Sequence, residues 1–287
     1  MASPEAQSGI LECGLPYARI GAGRRLLVVF DSFRVEHRPA EGLVLQGMLG
    51  AYERYVEAGF TVYLLERRAE MPIDYSVDDI CGDYIAALSE LAGTQGEGVD
   101  LLGIGAGGLF ALGVAARLGD GREHDEGPPA ARRLKVSHLA VVSGAHRMSE
   151  AAREVSSAWI ADAEKLRWRS VHAAMVRRSY TGVQAAFYAS LARLFPDLLG
   201  TTDYPWDFVI TLREAAGADL TDRLESIAAP TLILGGERDG IFSAADMEEA
   251  ARRIPEAGLE LIPGAGHAIF KSRRGEVEAR VTRFLKG

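Results

Sequence analysis

Short runs of aliphatic and β-branched residues recur along the chain at 25–30 (RLLVVF), 61–65 (TVYLL), 99–104 (VDLLGI), 139–143 (LAVVS), 231–234 (TLIL) and 259–262 (LELI). They show little alternation of polar and apolar positions, which is the pattern of strands covered on both faces. Between them, apolar residues recur three and four apart at 77–91, 109–118, 244–254 and 277–285, and these stretches predict helices. Strand and helix alternate, so the pattern predicts an α/β fold with a mostly parallel central sheet and helices on both faces. An extended piece at 16–20 predicts an additional antiparallel strand at the edge.

One interval breaks the rhythm. Between the runs at 139–143 and 231–234, from about Ser149 to Ala218, the chain has helical character and no strand pattern. That is far longer than a crossover needs. It predicts an all-helical insertion of three or four helices, dividing the chain into a core of residues 1–146 and 219–287 and an inserted segment of 147–218. The charged, Gly- and Pro-rich stretch DGREHDEGPPAARR at 120–133 predicts an exposed loop.

Composition narrows the classes of function. The 287 residues are 48% hydrophobic and 25% charged, ample for a large core, and carry a formal charge of −8. An acidic chain lacks the basic face that phosphate backbones require, so nucleic acid is not expected as the main partner. Cys13 and Cys81 form no disulfide framework or zinc spacing, which suits a reducing, cytoplasmic setting. The start MASPEAQSG has no signal-peptide pattern, and no apolar run reaches membrane length. The expectation is a soluble protein acting on a small molecule, with no cofactor, no metal and no membrane partner, and with a homodimer left open.

The chemistry centres on GIGAGG at 103–108. Gly103, Gly105 and Gly108 spell G-x-G-x-x-G, a dinucleotide-binding turn. That turn follows the first strand of its unit and needs an acidic residue about 20 positions on. Here two predicted strands come before it, and the next strand ends VVSGAH, with Ser143, Gly144 and His146 in place of the acid. Gly103 to Gly107 also fit G-x-S-x-G, the strand-to-helix turn that presents a nucleophilic serine, with Gly105 in the serine's place. Downstream, GGERDGIF puts Asp239 after a strand and PGAGHAIF puts His267 after the next. Turn, acid and histidine in that order, each at the end of a parallel strand, form the chain order of a Ser-Asp-His triad.

On these motifs the chain resembles an α/β-hydrolase with a helical cap, from about Leu15 to Leu285. The resemblance implies that the acid orients the histidine and that the Ala106 N–H points into an oxyanion hole. Gly105 has no side chain, so no acyl-enzyme can form there, although glycine fits the strained turn. Related enzymes place the other half of the hole after the strand ending at Phe30, usually in H-G or P-G. This chain has VVFDSFRVEH, with Ser32 supplying the second N–H and the Asp31 carboxylate either facing the site or capping the loop. Asp31 therefore joins His267 and Asp239 as a catalytic candidate, while His146, Trp159 and Trp168 are candidates for lining the pocket. Ser143, at a strand end on the same edge, is a conceivable relocated nucleophile.

Three readings stay open. His267 and Asp239 could run acid/base chemistry on a small hydrophobic carbonyl compound without a covalent intermediate, giving a lyase, cyclase, isomerase or non-covalent hydrolase. Gly105 could replace the serine of a conventional ester or amide hydrolase. The chain could also be a ligand-binding protein without turnover, as the similar glycine-containing turn of the N-myc downstream-regulated family implies.

Overall fold

Strands β3 (Arg25–Phe30), β4 (Phe60–Leu65), β5 (Gly98–Ile104), β6 (Lys135–Val142), β7 (Thr231–Gly236) and β8 (Ala257–Ile262) form where the apolar runs predict them. The structure is a computed structural model and describes residues 6–31, 38–95, 98–120, 134–180, 182–183, 186–187, 190, 202 and 204–287. Ser32, together with most of the loop predicted at 120–133, lies outside the described residues.

With β1 (Ala6–Ile10) and β2 (Pro16–Ile20), the strands make one eight-stranded sheet in the order β1-β2-β4-β3-β5-β6-β7-β8. The pairings from β4 through β3 to β8 are parallel, and β1 and β2 run antiparallel. The expected antiparallel strand at 16–20 is present, but it is second from the edge rather than at it. The outer position belongs to β1, whose sequence AQSGI has a weak strand pattern and gains its structure by pairing residue for residue with β2.

Helices cover both faces. Alternate residues of each central strand enter opposite cores: Leu26, Val28 and Phe30 of β3 join one apolar cluster, Leu27 and Val29 the other. The first cluster takes Ile80, Cys81 and Tyr84 of α3 (Val77–Gln95) and Leu109, Phe110 and Leu112 of α4 (Ala106–Asp120). The second takes Leu45 and Leu49 of α1 (Gly42–Leu49), Tyr55 of α2 (Glu53–Glu57), and Val277, Val281 and Leu285 of a C-terminal helix at Arg274–Lys286. Helix α3 starts at a reciprocal cap, in which the Ser76 amide donates to Asp79 at 2.9 Å and the Asp79 amide donates to the Ser76 hydroxyl at 3.2 Å.

Between β6 and β7 the described residues hold α5 (Glu150–Glu164), α6 (Trp168–Ser179) and α7 (Pro205–Gly217), and no strand. Trp159, Trp168 and Phe208 of these helices belong to the first apolar cluster, and Trp168 packs edge-on to Phe208 with ring centroids 5.4 Å apart. Helix α7 is tied to the connection after β4 through Asp207. This fully buried carboxylate accepts the amides of Glu70 at 2.9 Å and Met71 at 2.8 Å. The tie holds Glu70 at φ +60, a conformation a residue with a side chain adopts only when its surroundings fix it.

Candidate active site

The parallel strands end along one edge of the sheet, which is where open α/β sheets place their chemistry. At that edge β5 turns into α4 through Gly105, whose φ is +58. The turn is closed by the Gly105 amide donating to the Val142 carbonyl at 2.9 Å and by the Gly108 amide donating to the Gly105 carbonyl at 2.9 Å. The surrounding glycines are required by proximity. A Cβ on Gly107 would lie 2.0 Å from the Phe30 carbonyl oxygen and 2.7 Å from that of Asp31. This contact sets Asp31, at the end of β3, directly against the turn. Its partly buried side chain has a partner in the fold. Ala106, also buried, opens α4, where a helix leaves its first amides without intrahelical acceptors.

Two strands further along the sheet, GGERDG follows β7. Its course is fixed against the β8 loop by the Arg238 amide donating to the Ala265 carbonyl at 2.8 Å, and by Gly236, where a Cβ would meet the Ala265 and Gly266 carbonyls at 2.4 Å. The two loops thereby bring Asp239 and His267 together. His267 Nδ1 lies 2.9 Å from Asp239 Oδ2 and 3.2 Å from Oδ1. The Asp239 side chain is fully buried, and its Oδ1 also accepts the amides of Ile241 at 2.8 Å and Phe242 at 3.0 Å. Three donors on one carboxylate fix its direction. The Phe242 ring stacks beside the His267 imidazole at 6.0 Å, and the following Ala268 amide donates to the Ser179 carbonyl at the end of α6. Sequence reasoning did not single out Phe242. Its position immediately after the acid loop was its only signal.

The other candidates are buried side chains. Trp159 and Trp168 are buried in the apolar core. His146 is fully buried on the connection after β6, its Nε2 3.8 Å from Glu249 Oε2 of α8 (Ala244–Arg253). Burial, with the neighbouring Arg147 charge second, lowers its pKa below the ordinary histidine value. Ser143 directly follows Val142, the register partner of Ile104, and so stands one strand over from Gly105. It is buried at φ +50, and its hydroxyl has no hydrogen-bond partner among the described residues.

The chain is similar to several known proteins. A stretch of 67 residues is 39% identical to the pimeloyl-[acyl-carrier protein] methyl ester esterase of Xanthomonas campestris, covering 23% of this chain and 26% of that protein. A stretch of 68 residues is 40% identical to the homoserine O-acetyltransferase of Ascobolus immersus, covering 23% of this chain and 13% of that protein. The matched stretch thus spans about a quarter or less of these relatives' own length. The enol-lactonase of Burkholderia xenovorans superposes with a TM-score of 0.73 at 18% identity, over 98% of this chain and 100% of that one. A bromoperoxidase from Bacillus anthracis gives 0.74 at 16% identity, over 99% and 100%. At such identities the likeness is one of fold. Residues 44–280 match the alpha/beta hydrolase family, and with this sheet order, turn and Asp–His pair the chain belongs to that family.

Proposed function

We propose that the protein is an enzyme that acts on a small, hydrophobic, carbonyl-containing compound through His267 and Asp239, with no covalent intermediate at position 105. The observation that carries this reading is the complete His267–Asp239 pair, with the acid buried and triply hydrogen-bonded, retained in a fold whose nucleophile turn ends in a residue without a side chain. With Nδ1–H donating to the carboxylate, the lone pair of Nε2 is left to take a proton from water or substrate and return it to a leaving group. The Ala106 amide at the start of α4 supplies a donor for a developing oxyanion. Asp31, whose carbonyl lies against the same turn, completes the polar side of the site as a second acid/base candidate. The segment 147–218 acts in this reading as a cap that gives the substrate its apolar surroundings.

Acyl esters and lactones are the first substrates to screen, because the similar proteins include a methyl ester esterase and an enol-lactonase. His267→Ala is expected to lower kcat/KM by at least about a hundredfold, the scale of a lost acid/base group. Gly105→Ala should stay within about tenfold, the scale of roughly 1 kcal/mol of strain at a left-handed position. Full activity in His267→Ala overturns the reading.

The left-handed turn at Gly105 favours one second reading, in which a serine once stood there. That reading predicts that Gly105→Ser gains esterase activity and becomes labelled by a fluorophosphonate at residue 105. Absence of both rejects it.

A further inference from the structure

We propose that His146, Asp246 and Glu249 form a binding site for a divalent transition-metal cation of zinc-like preference, from which the Arg147 guanidinium must be displaced. The site is distinct from the Asp239–His267 pair and does not rest on the proposed chemistry there.

The argument starts from an orphan. His146 has no solvent exposure, yet neither of its ring nitrogens makes a hydrogen bond among the described residues. A buried imidazole left this way costs free energy unless some group completes it. Its Nε2 is aimed at Glu249, 3.8 Å from Oε2. Asp246 and Glu249 lie three residues apart on α8 and therefore share one face. One ligand atom from each of the three residues lies within 4.8 Å of the others. A cation held at about 2.0–2.2 Å by nitrogen and oxygen brings its ligands to roughly 3–3.5 Å from one another. The His146–Glu249 edge, at 3.8 Å, therefore needs to contract by tenths of an ångström, and an edge at the 4.8 Å limit by more than an ångström, a shift that the side-chain rotations freed by displacing Arg147 would supply.

The donor set selects the ion. One imidazole with two carboxylates suits zinc, cobalt or nickel, whereas calcium requires six to eight oxygens. Charge points the same way. Three carboxylates surround Arg147, with Asp219 3.5 Å from its Nη1, and against them stand Arg147 and Arg253, the latter 3.2 Å from Glu249 Oε1. The cluster is net negative with His146 neutral.

Arg147 is the competitor. Its Nε lies 2.8 Å from Asp246 Oδ1 and its Nη2 2.8 Å from Glu249 Oε2, so it covers the oxygens a cation would use. It also has somewhere to go, because Asp219 and the Thr221 hydroxyl already lie at 3.5 Å from Nη1, towards solvent. Glu249 and Arg147 are partly exposed, which gives an ion a way in. A bound cation would clamp α8 to the β6–α5 connection. Both adjoin the acid loop, since the Ser149 amide donates to the Ile241 carbonyl and the Ile241 amide donates to Asp239.

The test is titration of the chelator-stripped full chain with zinc by calorimetry, and with cobalt by visible absorption. One equivalent should bind saturably, with the cobalt bands of a mixed nitrogen–oxygen site, and zinc should raise the melting temperature reversibly to chelator. His146→Gln and Glu249→Gln should each weaken binding at least about tenfold, the scale seen when a metal site loses a supporting group. Arg147→Gln should tighten it by a similar factor, a response that adventitious surface binding would not give. Absence of saturable binding, affinity unchanged in both ligand variants, or no tightening in Arg147→Gln overturns the proposal. Glu249 is on the surface side, so its variant keeps the test decisive if the buried His146 substitution impairs folding.

Discussion

A carboxylate with three donors is a stiffer support for an imidazole than a carboxylate with one. Asp239 takes two amides of its own loop in addition to His267, so the acid is fixed before the histidine meets it. Asp239→Asn preserves the size of the side chain and replaces one oxygen with a donor that cannot accept those amides or the Nδ1–H. Either the histidine or the loop then loses a partner. The expected result is a fall in kcat of at least about a hundredfold, together with a stability loss of about 1–3 kcal/mol for a buried, unsatisfied polar group. Urea unfolding and steady-state kinetics on the same preparation read the two effects separately. A variant that loses stability but keeps kcat would reduce Asp239 to a loop former. At this scale the pair was legible in the sequence, because GGERDG and PGAGHAIF each follow a strand whose end is fixed by its apolar run. The positive φ of Ser143 and the packing of Phe242 on His267 were not legible, since both depend on neighbours from other strands.

Among the elements, the helices between β6 and β7 carry the most distinctive physics. They were legible as helices from their periodicity, but not in what they touch. Trp159 and Trp168 read as candidate pocket walls against a default of core packing, and the structure buries both in an apolar cluster. Helix α6 also buries His172, beside Trp168, with neither ring nitrogen hydrogen-bonded among the described residues. Burial alone lowers the pKa of this histidine below the ordinary value. The folded protein therefore resists a proton that the unfolded chain accepts. Above the unfolded histidine pKa of about 6.5 neither state is charged and the group is neutral to stability. As the pH falls below that value the unfolded state gains the proton first, so stability is lost. The urea midpoint should drop between about pH 7.5 and 5.5, and His172→Leu should flatten that drop. His146, lowered in the same direction, leaves a residual slope. A slope unchanged by His172→Leu would mean that α6 opens to water before the rest of the chain unfolds.

Over the whole molecule, the sheet separates a polar support from the candidate site along its strands. The edge after β5, β7 and β8 carries Gly105, Asp239 and His267, while the opposite end carries a polar group that crosses three strands. Asp100 of β5 is buried, with Oδ2 2.8 Å from Arg25 Nη2 on β3 and Oδ1 2.7 Å from His138 Nδ1 on β6. This group was not legible in the residue pattern, because its members lie within apolar strands and only the strand order brings them together. The topology also explains why the acid–histidine pair could be read and the cluster of His146, Asp246 and Glu249 could not. The former follows from strand ends in chain order, the latter from one helix landing on one connection. Five residues along β5 at about 3.3 Å each put Asp100 roughly 16 Å from Gly105. Removing its carboxylate strands the Arg25 guanidinium and the His138 imidazole at once, for a cost of about 2–3 kcal/mol given that both are partly exposed. Asp100→Ala should therefore lower the urea midpoint while leaving kcat/KM on any responsive ester or lactone within about twofold. A matching loss of kcat/KM in the folded variant would show that strain at one end of the sheet reaches the other, and the separation of support from chemistry would fail.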